Sequence, residues 1–345
     1  MAPLSGKPPA LDGWTREGDR WIRHVLLGDR KRGGWSNQLA YKLSVPADYD
    51  PRSRRKYATV VHLHGYGGPK FPTNDPEGLG GVFGQLWKKQ EDPIIGIFPQ
   101  WDGSAWGSPD SSRKLIEILN HEKTQLRIDP DRVYLTGQSM GGYGSYFIAQ
   151  HYPGVFAAVA PISGSWAPFG PEKRTFVPRD LSKWRHLPYW AAHGMKDTKV
   201  APFANHQATV DALREGGVHV RFTAYPGGGH HVKQIHYANQ KFFDWLLAQK
   251  RGTPHNYELS VDAGGGAGIL GFFEPGTTRR MTARAPDREK REVFTGWTCV
   301  AGSSIKDTTT NALGSRGRFS NARALTTTFT MPAGDVIVRA NYEAR

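Results

Sequence analysis

The stretch VYLTGQSMGGYG, residues 133–144, decides the fold of this chain. An apolar, β-rich run ends at Gly137, and a helical pattern rich in small residues begins after Ser139. The letters GQSMG between them match G-x-S-x-G, the turn that presents a nucleophilic serine between a strand and a helix. Such a turn is strained, and its close backbone approach requires glycine at 137 and 141. The stretch therefore predicts a serine nucleophile in a strand–turn–helix unit.

Strand and helix patterns alternate on both sides of this unit, from about residue 20 to 250. The strand candidates are VVHLHG (60–65), IIGIFPQ (94–100), VYLTG (133–137), FAAVAPISG (156–164), YWAAHG (189–194) and VRFTAYPG (220–227). The helix candidates cover 111–126, 140–153, 202–217 and 232–250. Upstream, WIRHVLLG and LAYKLSVP predict an antiparallel pair at the sheet edge. The alternation predicts an α/β fold with a mostly parallel central sheet and helices on both faces.

The composition changes after RGTPHN, residues 251–256. The residues beyond it alternate with period 2, are rich in glycine and threonine, and show no helical pattern. We therefore predict an α/β catalytic domain over 1–250, a linker over 251–256 and a small all-β domain over 257–345.

A serine hydroxyl needs a base to remove its proton and an acid to orient that base. After an elbow of this kind the acid and the histidine follow later strands, in that order. Asp197 stands three residues after the strand YWAAHG. Asp211 falls within a helical pattern and Asp180 precedes the strand, so Asp197 is the predicted acid.

Three histidines lie in YPGGGHHVKQIHY, residues 225–237. A metal site would need histidines on one face together with further ligands, but the adjacent His230 and His231 point in different directions and His236 falls on the next helix. We therefore predict no metal. A base belongs on the loop directly after the last strand, where glycines free it to reach Ser139. His230 and His231 both satisfy this condition.

An acyl-transfer site also needs backbone N–H groups that hold an oxyanion. The first donor is expected at Met140, directly after the nucleophile. The second is expected in HLHGYGG, residues 62–68, from Tyr66 or Gly67, with Tyr66 preferred. His64 ends an apolar strand and is interpreted as a buried support of this loop.

The motifs HLHGYGG, FPQWDGSAWGSP, GQSMGGYGS, PISGSW, YWAAHGMKD and YPGGGH, spread over 60–231, resemble the α/β-hydrolase superfamily. More narrowly, they resemble the esterases that include feruloyl and acetylxylan esterases, polyhydroxybutyrate depolymerase-like enzymes and predicted peptidases. The resemblance implies ester hydrolysis through an acyl-enzyme, with no metal and no cofactor. Its strand–glycine–histidine pattern selects His230 over His231 as the base.

The substrate is expected to be polymeric or derived from a polymer. Only about 22 residues separate the strand ending near Gly164 from Leu187, too few for a helical lid, so an open cleft is predicted. Aromatic faces bind sugar rings and aromatic acyl groups. The predicted substrate-binding residues are Tyr66, Trp101, Trp106, Trp166, Gln138 and His231, although Trp106 and Trp166 could equally pack loops against the core.

These features predict a serine carboxylesterase acting on feruloyl or acetyl esters of plant polysaccharides. A polyester hydrolase and a serine peptidase of the same fold remain alternatives. A binding or adhesion protein on a hydrolase scaffold is the alternative from another class, and it would require a broken triad.

The C-terminal region resembles the Listeria–Bacteroides type (internalin B-repeat-like) module through VFTGWT (293–298) and TTFTMPAGDVIVRANY (327–342). Because such modules are typical of secreted and surface proteins, we expect an extracellular protein with carbohydrate or cell-surface contacts. The opening residues lack a signal-peptide pattern, so a cytoplasmic location stays open. The formal charge of +14 is scattered in short pieces, which argues against a nucleic-acid partner. No stretch reaches the ~20 apolar residues of a membrane span.

Overall fold

A computed structural model describes residues 13–17, 20–27, 39–66, 93–100, 106–166, 180–198, 200–262, 267–303, 308–310 and 317–344. Ten of the strands within these ranges form one sheet. They are β1 (Thr15–Glu17), β2 (Arg20–Leu27), β3 (Leu39–Pro46), β4 (Tyr57–Leu63), β5 (Ile94–Pro99), β6 (Ile128–Gln138), β7 (Ala158–Ile162), β8 (Tyr189–Gly194), β9 (Val220–Tyr225) and, from the C-terminal region, β14 (Thr308–Thr309).

The order of strands across this sheet is β1-β2-β3-β5-β4-β6-β7-β8-β9-β14. The neighbours from β5 to β9 pair in parallel, whereas β1 to β5 and the β9–β14 pair are antiparallel. The expected β2–β3 antiparallel pair is confirmed. The mostly parallel sheet predicted from the sequence is instead a mixed sheet, with a parallel centre and antiparallel strands at both sides.

The helices are α1 (Pro109–Gln125), α2 (Met140–His151), α3 (Phe203–Glu215), α4 (Lys233–Tyr237) and α5 (Gln240–Ala248). The helices predicted over 111–126, 140–153 and 202–217 are confirmed within two residues at each end. The single helix predicted over 232–250 is wrong, because Asn239 adopts an extended backbone and its side chain caps α5 by accepting from the Lys241 N–H at 3.1 Å. Among the described residues, no helix is both long and apolar enough to cross a membrane.

Apolar residues on alternate positions of the strands build two cores, one on each face of the sheet. Val61 and Leu135 belong to the face that packs against α1, α2 and α3. Val60 and Tyr134, their neighbours in the chain, belong to the face that packs against α5 through Trp245. Helices therefore cover both faces of the large sheet.

The residues after 256 form strands and no helix in the part that the structure describes. The strands are β10 (Tyr257–Asp262), β11 (Ala267–Phe273), β12 (Thr278–Thr282), β13 (Glu292–Ala301), β15 (Arg318–Phe319), β16 (Thr326–Thr330) and β17 (Val336–Ala344). They form a sheet of order β11-β10-β17-β13 and a smaller sheet of order β12-β16-β15. Leu259, Trp297, Phe329 and Val338 lie in a core of their own.

This C-terminal region also extends the large sheet, which its sequence pattern did not predict. Thr308 and Thr309 of β14 pair with Thr223 and Phe222 of β9. The side chain of Arg214 on α3 donates to the backbone oxygen of Thr309 at 2.8 Å. A polar strand of two residues has no measurable periodicity, so the sequence pattern did not indicate this pairing.

Candidate active site

The elbow at Ser139 has the geometry that its glycines imply. Ser139 has φ 59° and ψ −122°, a conformation that L side chains adopt only at a cost of about 1–3 kcal/mol. A Cβ atom at Gly137 would lie 2.6 Å from the carbonyl oxygen of Leu63, and a Cβ at Gly141 would meet the same oxygen. The Ser139 N–H donates to Ile162 on β7 at 2.9 Å. Packing against β4 and β7 therefore holds the strained turn in place.

The three residues predicted as nucleophile, base and acid meet at one edge of the sheet. Ser139 follows β6, Asp197 follows β8 and His230 follows β9, all at the carboxyl ends of parallel strands. His230 Nε2 lies 2.8 Å from Ser139 Oγ, and His230 Nδ1 lies 2.6 Å from Asp197 Oδ2. The structure therefore joins all three in one hydrogen-bonded chain.

The charge on Asp197 fixes the direction of the protons in this chain. Burial acts to raise the pKa of Asp197, but hydrogen bonds from His193 and His230 outweigh it and hold the pKa well below that of an ordinary aspartate. An ionised carboxylate only accepts, so His230 Nδ1 carries a proton. His230 Nε2 is then left to accept from the Ser139 hydroxyl, which is the orientation a general base needs.

The loop after β4 lies beside the nucleophile, where an oxyanion would form. A Cβ atom placed on Gly65 would lie 3.5 Å from Ser139 Cβ. Tyr66 follows it with 79% of its surface exposed. Met140 begins α2, and N–H groups in the first turn of a helix have no partner within that helix. Gly67, the other predicted donor, lies outside the described residues.

Trp106 is a correction to the predicted set of substrate-binding residues. The side chain is buried, and its Nε1 donates to the backbone oxygen of His64 at 3.0 Å. The two rings meet edge to face at 5.3 Å, and His64 Nδ1 lies 2.7 Å from the Gly65 carbonyl. Trp106 therefore supports the loop after β4 from beneath and presents no face to a substrate.

Trp166 is a second correction, because it is fully buried. Its ring stacks on Tyr146 at 5.7 Å and meets Trp184 edge to face at 5.9 Å. Its backbone N–H donates to Thr209 Oγ1 at 3.1 Å. Trp101 and most of the segment between Gly164 and Leu187, which was predicted to lack a lid, lie outside the described residues.

Gln138 was predicted to contact substrate, but it is buried and braces the histidine loop. Its Nε2 donates to the backbone oxygen of His230 at 2.8 Å and lies 3.4 Å from His231 Nδ1. His231 is exposed, with its ring 5.1 Å from that of His230. The register of the loop therefore turns His230 toward Ser139 and leaves His231 beside it at the surface.

His236, the third histidine of the sequence cluster, lies in the core that faces α5. Its Nδ1 is 3.1 Å from the Tyr225 hydroxyl, and burial lowers its pKa to about 3. Within the described ranges, no three His, Cys, Asp or Glu side chains are grouped as metal ligands.

Sequence reasoning missed a polar group behind the acid. His193 on β8 and His206 on α3 are both fully buried, and His193 Nε2 lies 3.2 Å from Asp197 Oδ2. One signal was available, since the strand YWAAHG contains a histidine that no apolar strand requires. The contact between His193 and His206 depends on how α3 packs, which the sequence pattern does not give.

A family model and several known proteins match part of this chain in sequence. The Esterase family model matches residues 112–248. Carboxylesterase SOBER1 of Arabidopsis thaliana is 31% identical over 155 residues, which cover 43% of this chain and 64% of the relative. Poly(3-hydroxyalkanoate) depolymerase C of Paucimonas lemoignei is 31% identical over 135 residues, which cover 32% of this chain and 29% of the relative. The chain thus spans less than two thirds of either relative.

Solved structures show the same architecture. A thermostable esterase aligns with a TM-score of 0.55 and 26% identity, over 70% of this chain and 64% of that one. The fold is accordingly that of the α/β-hydrolases. Within that fold, this chain is similar in sequence to esterases.

Proposed function

We propose that the protein is a serine carboxylesterase that works through an acyl-enzyme. The observation that carries the proposal is the hydrogen-bonded chain from Ser139 Oγ through His230 to Asp197, with distances of 2.8 and 2.6 Å. The similarity to esterases over residues 112–248 supports the same reaction. A binding protein on a hydrolase scaffold would have no need for this chain or for the strained turn at Ser139.

The proposed reaction begins when His230 Nε2 removes the proton from Ser139 Oγ, which attacks the ester carbonyl carbon. The backbone N–H groups of Met140 and Tyr66 are proposed to hold the oxyanion of the tetrahedral intermediate. As that intermediate collapses, His230 gives its proton to the leaving alcohol. Water then attacks the acyl-enzyme with His230 again as base, so that the acid is released and Ser139 is restored.

For the substrate we propose feruloyl or acetyl esters of plant polysaccharides. Tyr66 supports this class, since its exposed ring follows Gly65 next to the nucleophile and can lie against a sugar or an aromatic acyl group. The burial of Trp106 and Trp166 leaves Tyr66 as the described aromatic side chain that this proposal uses.

A second candidate substrate class is an aliphatic polyester. The observation that favours it is the 31% identity to the depolymerase of Paucimonas lemoignei, which is named for action on poly(3-hydroxyalkanoate). Both classes use the same triad, so they differ only in what the surface beside Ser139 binds.

The experiment is a substrate panel of p-nitrophenyl acetate, methyl ferulate, acetylated xylan, poly(3-hydroxybutyrate) and a peptide, each measured with wild type and Ser139→Ala. We expect hydrolysis of the small esters that Ser139→Ala reduces by at least about 10³-fold. Higher kcat/KM on methyl ferulate or acetylated xylan than on the polyester supports the polysaccharide class. Cleavage of the peptide alone would overturn the esterase proposal.

The two adjacent histidines provide a matched pair of variants. His230→Ala should reduce kcat by at least about 10³-fold, because it removes the base. His231→Ala changes the same kind of residue one position away and should stay within about tenfold of wild type. The reverse pattern would assign the base to His231.

We also propose that residues 1–250 are the catalytic domain, that 251–256 form a linker and that 257–345 serve as a spacer or attachment domain. The resemblance of residues 293–298 and 327–342 to bacterial surface repeats supports this role and an extracellular location. The attachment role of residues 257–345 is tested by a pull-down. The whole protein carrying Ser139→Ala is mixed with insoluble polysaccharide, and the bound fraction is measured.

A further inference from the structure

A buried histidine contacts the same carboxylate oxygen of the proposed acid as His230 does. His193 Nε2 lies 3.2 Å from Asp197 Oδ2 and 2.8 Å from the backbone oxygen of Ala201. The backbone oxygen of Ala201 can only accept a hydrogen bond. Asp197 Oδ2 also only accepts, because Asp197 is ionised. His193 Nε2 must therefore carry a proton that it shares between them.

That proton on His193 Nε2 determines the positions of the protons in the rest of the hydrogen-bonded network, which continues through His206 to Tyr146. With its proton on Nε2, neutral His193 can only accept at Nδ1, which lies 2.8 Å from Nδ1 of His206. His206 must then donate from Nδ1 and accept at Nε2, which lies 2.8 Å from the Tyr146 hydroxyl. Tyr146 in turn donates to His206. A single set of tautomers satisfies all these atoms without any charged imidazole.

The groups in this chain are held rigidly and away from water. Tyr146 stacks between Trp166 at 5.7 Å and Tyr189 at 5.7 Å, and His206 meets Phe222 at 5.1 Å. Burial lowers the pKa of His206 well below its usual value. A neutral His206 is what the tautomer assignment requires.

We propose that His193 is a positioning residue for the reaction, held in its Nε2–H tautomer by His206 and Tyr146. This role rests on the proposed serine mechanism. In that mechanism, His193 fixes the Asp197 carboxylate so that Oδ2 faces His230. The backbone N–H groups of Val200 and Ala201 contact Oδ1 at 3.3 Å and complete the cradle. The hydrogen bond from His193 also stabilises the negative charge of Asp197. The carboxylate therefore attracts the proton on His230 less strongly.

The titratable and charged groups around this hydrogen-bonded network come from four elements. They are His230 on the loop after β9, Tyr143 on α2, Tyr189 on β8 and Arg214 on α3. Of these, His230 is the group bonded to Asp197, so the loss of the His193 proton is expected to be felt first at His230.

The test is the pH dependence of kcat and KM for p-nitrophenyl acetate in His193→Phe, with His236→Phe as the control. Both variants replace a fully buried imidazole that makes hydrogen bonds, but His236 lies on the other face of the sheet. We expect His193→Phe to raise the apparent pKa of the acidic limb by about half a unit. It should lower kcat and leave KM unchanged, while His236→Phe leaves the limb where wild type has it. An unmoved limb in a folded, active His193→Phe would overturn the proposal.

A measurement on the unchanged protein covers the case in which His193→Phe does not fold. Nitrogen-15 NMR of histidine-labelled wild type reports the tautomer of each ring. We expect His193 protonated on Nε2 and His206 on Nδ1 at pH 7. The opposite tautomer at His193 would overturn the positioning role. Absence of any Ser139-dependent esterase activity would refute the proposed function alone, because the tautomers do not depend on turnover.

Discussion

Two buried polar clusters each contain an aspartate, and the pKa values of these two aspartates are shifted in opposite directions. One cluster is the triad, and the other lies where the C-terminal region meets the large sheet. In the first, Asp197 is surrounded by donors and its partner His230 reaches the surface, with 11% of its side chain exposed. In the second, which we name the junction cluster, Arg221 on β9 meets Glu258 on β10 and Asp335 before β17. All three of those side chains are fully buried.

The junction cluster is held by ion pairs and hydrogen bonds among buried side chains. Arg221 donates through Nη2 to Glu258 and to Ser303 Oγ, and its Nη1 lies 3.0 Å from Asp335 Oδ2. The guanidinium also lies 4.5 Å over the ring of Trp190. Because Arg221 comes from the large sheet and the carboxylates come from the C-terminal region, the cluster binds the two regions together.

The pKa values of the two aspartates move in opposite directions. At Asp197, burial is outweighed by the hydrogen bonds from His193 and His230, and the pKa falls. At Asp335, burial raises the pKa to about 6 and the attraction of Arg221 offsets only part of it, since Arg221 is shared with Glu258. The difference teaches that burial alone does not set the charge of a carboxylate. Hydrogen-bond donors and neighbouring charges set it as well.

Asp197→Asn should break the triad and produce the largest effect. An amide at this position would face His230 with N–H groups, hold the imidazole in the wrong tautomer and direct Nε2–H at Ser139. We expect kcat for p-nitrophenyl acetate to fall about 10⁴-fold, measured by steady-state kinetics at pH 8. A variant within tenfold of wild type would contradict the role given to Asp197.

Arg221→Met should break the junction cluster and change stability instead of catalysis. Removing the cation leaves two buried carboxylates without their partner, which costs about 3–5 kcal/mol. Arg251→Met is the matched control, because Arg251 pairs with Asp131 at the surface, where an ion pair contributes about 0–1 kcal/mol. Urea unfolding measures both. Equal losses of stability in the two variants would show that the junction cluster is no more important than a surface pair.

Asp335→Asn should give a smaller effect that depends on pH. Because the pKa of Asp335 is higher in the folded protein than in the unfolded chain, its contribution to stability is fully present below about pH 4 and is lost as the pH rises through about 6. Over that window the free energy of unfolding of wild type should fall by up to about 3 kcal/mol relative to Asp335→Asn. Parallel pH profiles for the two proteins would contradict the raised pKa.

Much of the fold and the principal site residues could be predicted from the sequence, because each depends on a local pattern. The elbow at Ser139 needs glycines at fixed positions, and Asp197 and His230 each follow an apolar strand directly. Parallel strands bring such loops to one edge, so order along the chain was enough to group them.

The features that were missed depend on packing between distant segments. The burial of Trp106 and Trp166 follows from contacts with His64 and Tyr146, which no local pattern reveals. The same holds for the contact between His193 and His206, and for the two-residue strand β14 on the edge of β9. Because exposure cannot be read from the residue type, the sequence leaves a tryptophan in a predicted loop open to two interpretations, substrate binding or packing against the core.

The most direct test of the serine mechanism is mass spectrometry of the native protein after treatment with a fluorophosphonate ester, followed by proteolysis. We predict one stoichiometric adduct on the peptide that contains Ser139, and its loss in both His230→Ala and heat-unfolded protein. A native protein that stays unlabelled at Ser139, or that carries the adduct on another residue, would contradict the assignment of Ser139 as the activated nucleophile.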